Sequence, residues 1–390
     1  MKTRTKLISA GRPHARPSHP VNPPVERAST VLFPTYDDFL EGKRRIAYGR
    51  LGTSTHRALE EAISVLEHAF ETRLAPSGLQ AVIAAMLAFV EAGDDILITD
   101  GVYDPTRKFA DRFLRRFGVN PIFYDPVIGE GIADLFTPRT KAIVVESPSS
   151  LTFETQDLPA IVAAARGIGA RVIVDNTWSA GVYFQPLTLG ADVSVQACTK
   201  YLCGHSDCLV GSISSADEKS AQAIFHSLLQ LGANVSADDA SLVLRGMRTL
   251  HVRMPTHEQT ALKLAKWLGK RPEVARVLHP SLKSTPGHAV WKRDFSGSSG
   301  LFGVVLKPTP VAALKAFFNA LRHFGMGFSW GGYESLCIHV DPDANRSATD
   351  WKEDGPTLRF HAGLEDVEDL VMDLERAFEA MALARAGRDV

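Results

Sequence analysis

Short β-branched, apolar runs recur through the first half of this chain, and they limit its folds more than any other feature. Asp95-Ile-Leu-Ile-Thr99, Lys141-Ala-Ile-Val-Val-Glu146 and Val172-Ile-Val-Asp175 are nearly continuous apolar stretches. Strands of that kind are buried on both faces. Between them lie segments with helical spacing, Thr106 to Phe117 and Leu158 to Ile168. Strand and helix in alternation predict a mostly parallel sheet covered on both sides, an α/β fold. A fourth run, Asp192 to Ala197, alternates: Val193 and Val195 should face one way, Ser194 and Gln196 the other. Cys208 to Ser214 reads as a further strand.

At 390 residues the chain exceeds one ordinary core, so two domains are expected. Residues 1–50 read as an arm, with Pro13, Pro17, Pro20, Pro23 and Pro24 opposing regular structure and the segment free to lie across a neighbouring subunit. Residues 51–246 form a large domain that opens on a helical pattern from Arg57 and a second helix from Ala81 to Val90. Near residue 246 the character changes. A long helical pattern from Ser236 runs on to Trp267, and Pro255 is expected to kink or split it. Residues 247–390 then mix strands (300–306, 336–340, 357–361) with helices (310–321, 367–384), as in a smaller α+β domain. Hydrophobic residues make up 45%, charged residues 22%, and net charge is −1. This balance gives no footprint for nucleic acid or for an anionic membrane. No apolar run reaches membrane-spanning length and no secretory signal is visible, so a cytoplasmic protein is expected. Cys198, Cys203, Cys208 and Cys337 fit no zinc spacing and read as reduced, buried thiols.

Two residues at strand ends carry chemistry. Lys200 closes the Asp192 run, where burying an ammonium is costly and a desolvated amine becomes a nucleophile able to form a Schiff base. Asp175 ends the preceding run. In an open parallel sheet, neighbouring strand ends meet at the ligand crevice. An aspartate on a pyridine nitrogen with a lysine imine on the aldehyde is the protein's share of pyridoxal phosphate chemistry. The plainer readings are a solvated lysine and a turn aspartate. Ser77-Gly78-Leu79 before a helix is a ready anion site, or simply an N-cap.

Six local signatures occur together in order: Tyr48-Gly-Arg-Leu-Gly-Thr-Ser-Thr-His56, Glu146-Ser-Pro-Ser-Ser150, Asp175-Asn-Thr-Trp178, Thr199-Lys-Tyr201 with Gly204-His-Ser-Asp207, Ser329-Trp-Gly-Gly-Tyr-Glu-Ser-Leu336, and Leu358-Arg-Phe-His-Ala-Gly-Leu-Glu-Asp366. With them the whole chain resembles the Cys/Met-metabolism family of pyridoxal-phosphate enzymes, which have the aminotransferase-like fold of type I. The resemblance implies that Lys200 carries pyridoxal 5'-phosphate covalently, Asp175 pairs with its ring nitrogen and Tyr103 stacks on the ring. It implies that Ser77, Gly78, Leu79 and Thr199 hold the phosphate, with Tyr48 and Arg50 reaching it from a neighbouring subunit. Arg359 would clasp the substrate carboxylate, with Ser329 and Trp330 beside it. A homo-oligomer follows, a dimer or pair of dimers acting on a small amino acid.

The chain departs from the family pattern at Ala197, where many relatives have a phosphate-contacting serine. Ser150 and Trp330 stand where γ-acting relatives often have Asn and Leu. Those two favour β-elimination of L-cystathionine to L-homocysteine, pyruvate and ammonia, for methionine synthesis. The alternatives are a γ-acting relative or a lyase of broader cysteine-S-conjugate specificity. A nicotinamide dehydrogenase is excluded, because no G-x-G-x-x-G follows the first strand. A non-catalytic binding protein fits poorly with Lys200, Asp175, Tyr103 and Arg359 all present.

Overall fold

The computed structural model of the protein describes residues 2–12, 20–41 and 47–387. Eleven strands are described: β1 Glu71–Ala75, β2 Asp95–Thr99, β3 Asn120–Tyr124, β4 Thr140–Glu146, β5 Arg171–Asp175, β6 Val193–Ala197, β7 Gly211–Ser215, β8 Val274–Leu278, β9 Leu301–Leu306, β10 Leu336–Val340 and β11 Thr357–His361. The α-helices are α1 Thr3–Ser9, α2 Tyr36–Glu41, α3 Ser54–Glu67, α4 Gly78–Leu87, α5 Asp104–Phe109, α6 Leu158–Ile168, α7 Glu218–Gln230, α8 Ala237–Met247, α9 Leu250–Leu268, α10 His288–Asp294, α11 Val311–Ala320 and α12 Val367–Arg385.

Seven strands form one sheet in the order β1-β7-β6-β5-β4-β2-β3, and only β7 runs against the others. Both faces are buried, as continuous apolar runs require. Along β4, Ala142 and Val144 enter one core and Ile143 and Val145 the opposite one. Strand β5 divides the same way, Ile173 from Val172 and Val174. Strand β6 differs as its alternation predicts: Val193 and Val195 join the apolar core, while Ser194 and Gln196 are buried and hydrogen-bonded on the other face. The second sheet is antiparallel, β10-β11-β9-β8, and its core includes Phe302, Phe317, Phe360 and Phe378.

Several expectations need correction. The first residues are not irregular: α1 docks on α3 with Leu7 fully buried, and the Arg248 guanidinium donates to the Leu7 and Ala10 carbonyls at 2.7 and 2.8 Å. Pro13 and Pro17 lie outside the described residues. The long helical pattern after Ser236 breaks at Arg248–Thr249, and Pro255 sits inside α9. Pro255 is exposed, so its ring meets solvent while the helix continues through it. The Thr106–Phe117 helix is three pieces, α5 followed by a wide π turn over 110–114 and a tight turn over 115–117. Strands β1, β3 and β8 and helices α7 and α10 escaped the sequence reading.

Candidate active site

The strands β4, β5 and β6 end along one edge, and their last residues open onto one shared cavity. Parallel register places Glu146 of β4 directly opposite Asp175 of β5. Lys200 lies three residues past the end of β6, in the turn towards β7, rather than on the strand itself. Lys200, Asp175, Tyr103, Ser77, Gly78, Leu79, Thr199, Ser329, Trp330 and Arg359 all line this one space. Asp175 at the end of β5 and Lys200 in the turn after β6 thus face one crevice.

Each group is held by an identifiable local device. Asp175 Oδ1 accepts the Thr177 N–H at 3.0 Å and the Thr177 hydroxyl at 2.6 Å. Both bonds fall on Oδ1, which leaves Oδ2 for a donor in the cavity. Burial pushes the Asp175 carboxyl upward, and Thr177 and Lys200 oppose it. Lys200 Nζ donates to Ser329 Oγ at 2.6 Å and sits 5.3 Å from the Trp330 ring centroid. Burial, helped by the nearby Arg359 cation, lowers Lys200 to about 8, with Asp175 opposing. A fraction of the amine is therefore neutral near pH 7, as a nucleophile or base must be.

Another wall of the cavity comes from the second sheet. Arg359 on β11 donates Nη2 to the Ser329 carbonyl at 3.0 Å, and burial lowers its pKa to about 10. Ser329 adopts φ +79, and Gly331 adopts φ +89. A Cβ on Gly331 would lie 2.9 Å from the Lys200 carbonyl carbon. The 329–331 turn thus wraps closely around the lysine, and its strain sits at the site.

At the start of α4, Ser77 is an N-cap, its Oγ accepting the Gln80 N–H at 3.2 Å. The N–H groups of Gly78 and Leu79 belong to the first turn and have no intrahelical acceptor. A Cβ on Gly78 would come 2.4 Å from Ala197 Cβ, so glycine is what lets the helix end seat against β6. Free N–H groups, the positive end of the helix dipole and a wall that only glycine permits fit a phosphate. Thr199 is less free than expected, because its hydroxyl donates to the Val210 carbonyl (3.3 Å) and accepts the Val210 N–H (3.1 Å).

Tyr48 and Arg50 do not line this cavity. Tyr48 is half-exposed, and Arg50 donates Nη1 to the Leu229 carbonyl at 3.3 Å in a separate depression with His56 and Arg73. Sequence reasoning missed Glu146 as a cavity residue. Its Oε2 accepts the Tyr103 N–H at 2.7 Å, and burial together with Asp175 pushes its carboxyl well up. The strand-end rule that picked out Asp175 applied equally to it. Phe328 and Leu209 at the cavity's rim carried no such signal. Cys203, Asp207 and Cys208 approach within ligand distance of one another despite their unpromising spacing, but the Cys203 thiol donates to Asp207 (3.2 Å) and the buried Arg253 cation lies alongside. All four cysteines are buried and free, and no helix among the described residues is long and apolar enough to cross a membrane.

A lysine made nucleophilic by burial, an acid with one open oxygen beside it, and an anion cradle at a helix start are the provisions of pyridoxal-phosphate-dependent enzymes with the aminotransferase-like fold. The Cys/Met metabolism PLP-dependent enzyme family matches residues 4–379, and the chain belongs to it. Cystathionine beta-lyase of Salmonella typhimurium is 43% identical over 385 residues, covering 96% of this chain and 97% of that protein. The Escherichia coli cystathionine beta-lyase is 41% identical, covering 97% of this chain and 98% of its own length. Among solved structures, cystathionine gamma synthase from Xanthomonas oryzae pv. oryzae, in complex with aminoacrylate and cysteine, superposes with TM-score 0.91 at 29% identity, covering 98% of this chain and 99% of its own. Pyridoxal phosphate is the cofactor.

Proposed function

We propose that the protein is a cystathionine β-lyase, releasing L-homocysteine, pyruvate and ammonia from L-cystathionine for methionine synthesis. The observation that carries this reading is the lowered Lys200 amine between Asp175 and Arg359 in one cavity. Identity above 40% to curated β-lyases, against 29% to the γ-synthase structure, favours β over γ elimination. Trp330 and Ser150 support the same choice.

Bound pyridoxal phosphate supplies an electron sink for the carbanion at the substrate Cα. Lys200 would hold it covalently, and its Nζ would take the substrate Cα proton. Asp175 Oδ2 would accept a hydrogen bond from the ring nitrogen and favour its protonated form. Tyr103 would pack against the ring, and its phenol, or Lys200 Nζ, would give the leaving thiolate its proton. Ser77, Gly78, Leu79 and Thr199 hold the phosphate. Arg359 orients the substrate carboxylate through a fork of two hydrogen bonds, with Ser329 and Trp330 flanking it. Tyr48 and Arg50 serve the cofactor of a neighbouring subunit in a dimer or a pair of dimers. The chain divides near residue 246 into the cofactor-binding and C-terminal domains.

An assay with cystathionine decides the reaction. Pyruvate with homocysteine is expected, and 2-oxobutyrate with cysteine would transfer the assignment to a γ-lyase.

A further inference from the structure

Behind Asp175 lies a second carboxyl that the proposed reaction does not use. Glu67, the last residue of α3, is wholly buried. Its partners come from the elements that deliver the catalytic groups. Asn176, which follows Asp175, points Nδ2 at both Glu67 oxygens at 3.3 Å. Ser194 Oγ donates to Oε2 at 2.8 Å, and the Gln196 amide meets Oε1 at 2.5 Å. Ser194 and Gln196 form the polar face of β6, the strand that leads to Lys200. One side chain therefore ties the end of β5 to the length of β6.

Four features bear on its charge. No cationic side chain pairs with it among the described residues, and an unpaired buried carboxylate is costly. It sits at a helix C-terminus, where the backbone dipole is already negative. The titratable groups that interact with it are Asp175 and the Cys198 thiol, both of which are repelled by negative charge. The 2.5 Å approach of the Gln196 amide is short for N–H···O and normal for O–H···O. Turning that amide so that its oxygen accepts a proton from Glu67 fits the distance. Burial pushes the Glu67 carboxyl upward, against the three hydrogen bonds.

We propose that Glu67 is a positioning residue held as the neutral acid, which locks Asp175 and the strand leading to Lys200 in place without putting a further negative charge beside Asp175. Close packing enforces the arrangement: at Gly181 (φ +63), a Cβ would lie 2.6 Å from Glu67 Oε1. The inference rests on Asp175 and Lys200 bracketing pyridoxal phosphate. Lys200→Ala tests that separately, because it alone removes the visible imine band.

The test follows the holoenzyme's visible absorption against pH, together with the affinity of the apoenzyme for pyridoxal phosphate. Glu67→Gln, a neutral isostere, should leave the spectral midpoint within about 0.3 pH unit and cofactor affinity within about twofold. Infrared difference spectra should show a protonated-carboxyl stretch in the wild type that Glu67→Gln lacks. Glu67→Ala, which takes this partner from Ser194 and Gln196 and leaves the Asn176 amide only the Phe184 carbonyl, should weaken cofactor binding about tenfold and shift the spectral midpoint. If that variant does not fold, Gln196→Ala breaks one arm of the network and should move both readouts in the same direction. A midpoint displaced by about one unit or more in Glu67→Gln would show that the group is ionised. Unchanged midpoint and affinity in the alanine variant, with only stability lowered, would reduce Glu67 to a structural role. Either result overturns the proposal.

Discussion

Substituting Gly78 by alanine tests the phosphate cradle directly. The new Cβ would stand 2.4 Å from Ala197 Cβ and 2.9 Å from Ala197 Cα. Ordinary contact needs about 3.4 Å or more, so the start of α4 must retreat from β6 by about 1 Å in a core too dense to absorb it elsewhere. The Gly78 and Leu79 N–H groups move with it. A hydrogen bond to a charged acceptor contributes about 1.5–3 kcal/mol and is largely lost when stretched by that amount. Losing the equivalent of one such bond, about 2 kcal/mol, weakens pyridoxal phosphate binding about thirtyfold. The assay is titration of the apoenzyme with the cofactor, followed by its visible band, with turnover partly restored by excess cofactor. Adding Ala197→Gly removes the closer contact and should recover part of the loss. Affinity within about threefold of wild type, with the helix still folded, would show that the phosphate is not held at this helix start.

Lys200→Ala should keep the fold and the far-ultraviolet spectrum while turnover falls by about three orders of magnitude or more, and near-normal pyruvate release would refute its role. Because only the neutral amine attacks the cofactor aldehyde, reconstitution of the apoenzyme should accelerate as pH rises through about 8 and then level off, and a flat profile would contradict the lowered Lys200. Arg359→Lys keeps the charge but loses the fork, so kcat/KM for cystathionine should fall about a hundredfold, measured by steady-state kinetics with alternative carboxylate-free amines as controls. Asp100 is buried and accepts the Arg107 guanidinium and the N–H groups of Ser347, Ala348 and Thr349. Burial opposes its ionisation, but Arg107 and the Thr349 and Ser347 donors win, so its carboxyl lies below the usual range. Asp100→Asn removes the nearest charge partner of the buried Arg107, leaving it Asp111 at 3.8 Å, and should cost about 3 kcal/mol, seen as a lower Tm. The stability that wild-type Asp100 contributes is present above the ordinary carboxylate pKa and fades as pH falls through its depressed folded value.

Much of the architecture was legible because β4, β5 and β6 announce themselves by composition. Runs buried on both faces need continuous apolar residues, and Val172 to Asp175 or Lys141 to Glu146 admit few other readings. Strands β1 and β3 were not legible, since Glu71-Thr-Arg-Leu-Ala75 and Asn120-Pro-Ile-Phe-Tyr124 lie at the sheet's edges, mix polar with apolar residues and, in β3, include a proline. The reversal of β7 was hidden too, because direction depends on the turn carrying Lys200, not on the strand's own residues. In the site, Lys200, Asp175 and Arg359 stand out as charges among apolar neighbours. Glu146 and Glu67 carry the same mark, but their meaning depends on register and depth, which no local pattern reports. Pro255 misled because a proline's effect depends on whether its face is exposed.

The turn at Ser329 joins two offices that are separate in origin. Its hydroxyl receives the Lys200 ammonium and its carbonyl receives the Arg359 guanidinium, so the proton carrier and the carboxylate clamp lean on one residue. A carboxylate that draws Arg359 away from that carbonyl therefore acts on the same turn that receives the lysine side chain.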